Sequence, residues 1–168
     1  MIVCAGNSET FSYATPMGVG LVQSAINMTR LCLFNPPKYI LFVGSAGTYG
    51  KHNIFDIIES KVASQIELSF LLKKSYTPID NVVSSENTNV LDGGIVNSSN
   101  YISTDYELVQ KFNQLNIGLE NMEFFSIMQV AQEYDIPCGG IFVVTNKCDQ
   151  NAHKDFLANH KKTMDKLS

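Results

Sequence analysis

Arginine is almost absent from this chain: Arg30 is the sole example in 168 residues, and the formal net charge is −4. A nucleic-acid surface needs clustered Lys and Arg to displace counterions. The only basic clusters are Lys73-Lys74 and the group Lys154, Lys161, Lys162 and Lys166, which read as solvated surface. A nucleic-acid partner is therefore disfavoured, while a small anionic ligand stays compatible. Cysteine is sparse and badly spaced for metal or redox chemistry. No two of Cys4, Cys32, Cys138 and Cys148 stand as C-x-x-C, the spacing such sites use. Cys4 and Cys138 lie in apolar runs and read as small buried hydrophobes. Histidine is scarce too, and His52, His153 and His160 offer no evident sequence partner for a nucleophile at Cys148. No apolar run reaches membrane-spanning length, and the N-terminus lacks the basic region of a signal peptide. The expected setting is the cytoplasm, with reduced thiols and no membrane partner.

What is present is a globular composition. Hydrophobic residues make up 45% and charged residues 17%, enough apolar content to bury a core. No linker, repeat or low-complexity stretch interrupts residues 1–168, which read as one domain. Met1 to Ala5 predicts a short buried strand and Phe11 to Ala14 a second. A helix is expected from Leu21 to Phe34, with Leu21, Ala25, Met28 and Cys32 on one stripe. Asn35-Pro36-Pro37 stops it. Tyr39 to Val43 reads as a buried parallel strand, ending in a small-residue turn, Gly44-Ser45-Ala46-Gly47. Ile57 to Lys73 mixes β-branched residues with helix formers and reads as mainly strand. Thr77 to Asn89 is turn-rich, and Gly94 to Asn97 is a strand. Thr104 is the expected N-cap of a helix to Leu115, with Glu107 at the capping-box position. Gly118 to Met122 passes from strand into a helix whose apolar face is Phe124, Ile127, Met128 and Ala131. Gly139 to Thr145 is a buried strand, and a helix runs from Asn151 to Leu167.

Strands alternate with helices, and several strands are apolar throughout. The expected fold class is α/β: three-layer α/β/α with a mostly parallel, mixed central sheet. Ligands of such sheets bind beyond the carboxyl ends of the strands. Four strand ends carry small or polar residues: Gly6 to Glu9, Gly44 to Gly47, Asn97 to Tyr101, and Thr145 to Asp149. The helix start at Met122-Glu123 is a fifth candidate. Singly, each has a plain structural explanation, a turn glycine or a carboxylate serving a helix dipole. Their joint order along the chain is the informative feature.

In that order the chain resembles the nucleoside phosphorylase and nucleosidase superfamily. Gly44-Ser45-Ala46-Gly47 matches its G-S-A-G segment. Asn121-Met122-Glu123 matches its acidic-Met-Glu motif, with Asn in the first place. Val144-Thr145-Asn146-Lys147 matches the strand end that serves the base. Ser98-Ser99-Asn100-Tyr101 is similar to a segment whose aromatic ring stacks on the purine, and Met17-Gly18-Val19-Gly20 to the glycine turn before the first long helix. The correspondence runs from Met17 onward. Before it, the stretch between Glu9 and Gly18 is shorter than usual, which implies a missing hairpin.

The resemblance implies a purine-nucleoside-cleaving enzyme. Catalytic roles would fall to Asn146, Glu123 and Glu9. Glu123 would accept hydrogen bonds from ribose hydroxyls, a task suited to an acceptor-only carboxylate. Tyr101 and Ile102 would meet the base, with Asn121, Met122 and Thr145 completing the substrate contacts. Gly18, Gly20, Ser45, Ala46 and Gly47 would face phosphate or the attacking water. Asn146 is part of T-N-K, the form found in trimeric phosphorylases of 6-oxopurine nucleosides. An amide can donate one hydrogen bond and accept another, but cannot deliver a proton. On this basis the expected reaction is phosphorolysis of a purine nucleoside, with a 6-oxopurine preferred, to free base and ribose 1-phosphate, a glycosyl transfer in purine salvage. Inorganic phosphate is the expected co-substrate, and no metal or organic cofactor is needed. Two alternatives stand beside it. Hexameric phosphorylases carry an arginine where Phe42 lies, and its loss points to hydrolysis with water activated by Glu9. A shortened relative could also bind nucleosides without cleaving them. The family further implies a homo-oligomer: dimer, trimer or hexamer.

Overall fold

The longest apolar runs become the longest strands, and they pair with each other. The computed structural model describes residues 1–168. In chain order the elements are β1 (Ile2–Cys4), β2 (Thr15–Pro16), α1 (Leu21–Phe34), β3 (Ile40–Thr48), β4 (Ile57–Ser60), β5 (Val62–Ser64), α2 (Leu68–Leu71), β6 (Val82–Ser84), β7 (Ile95–Ser98), α3 (Tyr106–Gln114), β8 (Ile117–Asn121), α4 (Phe124–Glu133), β9 (Cys138–Lys147) and α5 (Ala152–Leu167). β3 and β9 run parallel along their whole length, from Ile40 opposite Cys138 to Thr48 opposite Lys147, with an irregularity between Ala46 and Gly47. β1 lies parallel beside the start of β3, and β8 pairs antiparallel with its end. β4 is antiparallel on the other side of β9. β7 and β5 extend the sheet in parallel beyond β8, and β6 is an antiparallel edge. Five pairings are parallel and three antiparallel, so the sheet is mixed but mostly parallel.

Alternate strand residues point to opposite faces, and this sorts the helices into layers. Phe42 and Val96 belong to the main core with Met28 and Cys32 of α1 and Ile127, Met128 and Ala131 of α4. Their neighbours look the other way: Val43 packs with Met164 and Leu167 of α5, and Ile95 with Val109 and Phe112 of α3. The result is a three-layer α/β/α fold. The rings of Phe42, Phe124 and Phe142 meet at its centre, with centroids 5.0–5.9 Å apart. Cys4, Cys32, Cys138 and Cys148 are all buried free thiols. No helix is long and apolar enough to cross a membrane.

Several local expectations are corrected. Gly44 to Gly47 is not a turn but the continuation of β3, because the ladder with β9 carries on through it. Its glycines serve close approach instead: a Cβ on Gly47 would lie 2.8 Å from Cys148 Sγ and 3.0 Å from Asn146 Nδ2. Phe11 to Ala14 is a turn, closed by the Ala14 N–H donating to the Phe11 carbonyl at 3.2 Å, and the strand follows at Thr15. Ile57 to Lys73 divides into β4, β5 and α2, since the chain changes partner at Lys61, from β9 to β7. The turn-rich stretch holds β6. The N-cap of α3 is Asp105 rather than Thr104: its carboxylate accepts from the N–H groups of Glu107 and Leu108, each at 3.1 Å. In α1, Ser24 joins Met28 and Cys32 on the buried face in place of Leu21 and Ala25.

Candidate active site

The carboxyl ends of β1, β3, β8 and β9 converge with the first turns of α4 and α5 around one cleft of about 290 Å³. Glu9 enters it from a tight turn after β1. Gly6 and Asn7 have positive φ (95° and 54°), a conformation these two residue types tolerate best. Paired hydrogen bonds between the Gly6 and Glu9 backbones, at 3.0 and 3.1 Å, close the turn. The Ser8 carbonyl accepts from His160 Nε2 of α5 at 3.1 Å, tying the turn to the far wall. The Ser45 N–H then donates to Glu9 Oε2 at 3.0 Å, and the Ser45 hydroxyl donates to Oε1. The strand geometry that displaced the expected turn is thus what presents Ser45 to Glu9.

Opposite lies Glu123, the residue before α4. It is 6% exposed. Its Oε1 accepts from the Gly20 N–H at 3.0 Å, and its Oε2 from the Met122 N–H at 3.2 Å and Asn121 Nδ2 at 3.4 Å. Burial, with a further contribution from the charge of Glu9, raises its pKa to about 7; the Gly20 and Met122 amides pull the other way. This group titrates near neutrality. Asn146, at the end of β9, is buried; its Oδ1 accepts from the Thr145 hydroxyl at 2.8 Å, and its Nδ2 donates to the Lys147 carbonyl at 3.0 Å. One amide hydrogen and one acceptor lone pair stay free for a ligand.

Glu9, Ser45, Ala46, Gly47, Tyr101, Ile102, Asn121, Met122, Glu123, Thr145 and Asn146 all line the cleft. Tyr101 and Ile102 stand at its mouth, 83% and 52% exposed. Gly18 and Gly20 do not line it. The Gly20 amide is committed to Glu123, and the Gly18 amide donates to the Ala5 carbonyl at 2.8 Å, so neither N–H is available to an anion. Asn121 lines the wall but spends its oxygen on the fold, accepting from the Ser98 hydroxyl at 2.7 Å and the Phe124 N–H at 3.3 Å. Sequence reading missed Glu120, His153 and Phe156, which also line the cleft. His153 and Phe156 sit three apart at the start of α5, a helical spacing that could have flagged them as one face. Glu120 adjoins the matched motif, but a carboxylate inside an apolar strand gives no sign of which way it points.

Residues 67–168 match the phosphorylase superfamily. No curated protein matches the sequence. Solved structures match the fold closely at low identity. A futalosine hydrolase mutant of Helicobacter pylori is 17% identical, with 99% of this chain and 93% of that one covered and a TM-score of 0.82. The H. pylori 5′-methylthioadenosine nucleosidase mutant with 5′-methylthioadenosine in its active site is 18% identical, with 92% and 75% covered and a TM-score of 0.78. The Neisseria meningitidis 5′-methylthioadenosine/S-adenosylhomocysteine nucleosidase is 14% identical, with 99% and 93% covered and a TM-score of 0.80. These findings correct the expectation of a phosphorylase, a glycosyltransferase using inorganic phosphate: the matching structures are nucleosidases and a hydrolase. The cleft agrees physically. Its walls hold the carboxyl groups of Glu9, Glu120 and Glu123 and no lysine or arginine, a poor setting for a phosphate dianion.

Proposed function

The chain belongs to the phosphorylase superfamily, and on that premise we propose that it is a nucleosidase, hydrolysing the N-glycosidic bond of a purine nucleoside. The observation that carries this reading is the acidic cleft with Glu9 held on Ser45 by two donors. Water needs a base and a fixed position; Glu9 supplies the first, and its two bonds to Ser45 supply the second. Glu123 accepts from the ribose hydroxyls, and Met122 packs against the sugar. Tyr101 offers its ring to the base at the mouth of the cleft, beside Ile102. As the base leaves, positive charge develops on the sugar, and the carboxyl groups of Glu9 and Glu123 stabilise it where they would repel phosphate. Asn146, beside Thr145, hydrogen-bonds the departing base without delivering a proton. The relatives named above act on 5′-methylthioadenosine, S-adenosylhomocysteine and futalosine, so 5′-substituted purine nucleosides are the first substrates to try. Self-association is part of the same reading, supported by the exposed Val22, Ile26, Leu33 and Phe34 of α1.

The test is chromatography of base and sugar products from adenosine, inosine and 5′-methylthioadenosine, with and without phosphate. Free base and free sugar, at a rate indifferent to phosphate, are expected. Ribose 1-phosphate as a product would refute the proposal.

A further inference from the structure

Glu120 is a buried carboxyl group that the proposed reaction does not use. It is 6% exposed and lines both the cleft and a second cavity of about 310 Å³ behind it. Tyr101 and Ile102 line both cavities as well, so their loop is a thin partition with space on either side. The partition has few attachments of its own: the Tyr101 N–H donates to the Ser99 hydroxyl at 3.1 Å within the same loop, and Asn100 Oδ1 accepts from the Leu21 N–H of α1 at 2.9 Å. It is tied to β8 at both ends, by the Ser99 N–H donating to the Asn121 carbonyl at 3.1 Å and, beyond the ring, by Ser103. There the backbone N–H donates to Glu120 Oε1 at 2.9 Å and the hydroxyl donates to Oε2 at 2.5 Å.

The rest of the carboxyl group is anchored in the sheet. The Tyr49 hydroxyl, just past β3, donates to Oε2 at 2.7 Å, and Cys148 Sγ, just past β9, approaches Oε1 at 3.8 Å. Tyr49 is itself fixed, fully buried and stacked on Phe112 with centroids 4.4 Å apart. All four of its hydrogen-bonding contacts come from donors, two to each oxygen, an arrangement that an acceptor-rich carboxyl side chain suits. One side chain therefore joins the ends of β3, β8 and β9 to the loop that bears the aromatic ring.

Resting on the nucleosidase reading of the cleft, we propose that Glu120 is a positioning residue, which clamps the loop of Tyr101 and Ile102 through Ser103 and so sets the platform for the base. Its influence is on binding of the base, transmitted through Tyr101, and not on the chemical step. The test is a double-mutant cycle, because residues acting through one another give non-additive effects. Affinity for a purine C-nucleoside, whose glycosidic bond does not hydrolyse, is measured by calorimetry for wild type, Glu120→Gln, Tyr101→Ala and the double variant. Glu120→Gln is expected to weaken binding about tenfold, as loss of a charge-assisted hydrogen bond implies, and to raise KM more than it lowers kcat. In its presence Tyr101→Ala should cost little further. Additive losses would overturn the proposal. If Glu120→Gln does not fold, Ser103→Ala removes a single bond and should show the same coupling to Tyr101→Ala; additivity there overturns it equally. Amide hydrogen exchange of the ligand-free protein separates this idea from the nucleosidase reading. Faster exchange at residues 101–105 in Glu120→Gln, with β8 unchanged, supports the clamp even if no nucleoside binds; equal exchange in the two proteins refutes it.

Discussion

Glu9 and Ser45 lie 36 positions apart in the chain, and two hydrogen bonds make them one unit. Glu9→Gln keeps the shape but removes the basicity. General-base catalysis contributes roughly 10²–10⁴-fold, so kcat should fall by about a hundredfold or more. Calorimetric affinity for a purine C-nucleoside should stay close to that of wild type. Loss of affinity with kcat retained would reassign Glu9 to binding. On the proposed reading, Asn146 is the other residue where a single atom decides the chemistry. Asn146→Asp puts a transferable proton at the base without altering size. Release of adenine should rise relative to release of hypoxanthine by about tenfold, the low side of what a positioned acid contributes; an unchanged ratio of the two rates would remove Asn146 from contact with the base. Both residues were visible in the sequence because each follows an apolar strand, where an α/β sheet places its ligands. Glu120 was hidden, since nothing in its neighbours reveals that Ser103, Tyr49 and Cys148 converge on it.

Elements were legible where their local signals agreed. Leu21–Phe34 has apolar periodicity and ends at Asn35-Pro36-Pro37, and α1 has those bounds. Glycine and serine from Gly44 onward carry the local signature of a turn, yet β3 runs on to Thr48. Its pairing with β9 is a tertiary fact that outweighs the local signal. The split of Ile57 to Lys73 into three elements is of the same kind, set by which distant strand each part meets. The turn before α1 shows how an element serves the site from outside the cleft. Gly20 has φ 85° and ψ 165°, a region essentially restricted to glycine, and a Cβ there would lie 2.9 Å from Asn100 Oδ1. That same oxygen accepts from the Leu21 N–H at 2.9 Å, while the Gly20 N–H holds Glu123. Gly20→Ala is therefore expected to cost about 1–3 kcal/mol of stability, read from urea unfolding, and to weaken nucleoside binding through the loosened Glu123. A variant of wild-type stability and affinity would mean that the turn relaxes freely.

Across the whole molecule the most consequential charge is one the fold holds at a cost. A glutamate with an ordinary pKa of 4.5 that rises to about 7 on folding binds its proton more tightly in the native state. Between those values the native protein holds more protons than the unfolded chain. Stability contributed by Glu123 is thus fully present below pH 4.5 and is lost as pH rises through about 7. At about 1.4 kcal/mol per pH unit the loss is roughly 3 kcal/mol. Substrate acts against it. On the proposed binding mode ribose hydroxyls donate to Glu123 and favour the charged carboxylate, so binding would draw the proton off it. Affinity for a purine C-nucleoside should therefore increase from pH 6 to pH 8, with proton release measurable by calorimetry in buffers of different ionisation enthalpy. The thermal shift given by the ligand should grow over the same interval. Glu123→Gln should flatten both profiles and abolish the fall in ligand-free stability between pH 5 and 8, because the titrating group is gone, although the amide keeps only one of the two acceptor oxygens that Gly20 and Met122 use. Glu9→Gln should move the midpoint of the wild-type profile downward, since one of the influences raising the Glu123 pKa is the charge of Glu9. A profile with no slope in wild type would show that the ribose hydroxyls do not rest on Glu123.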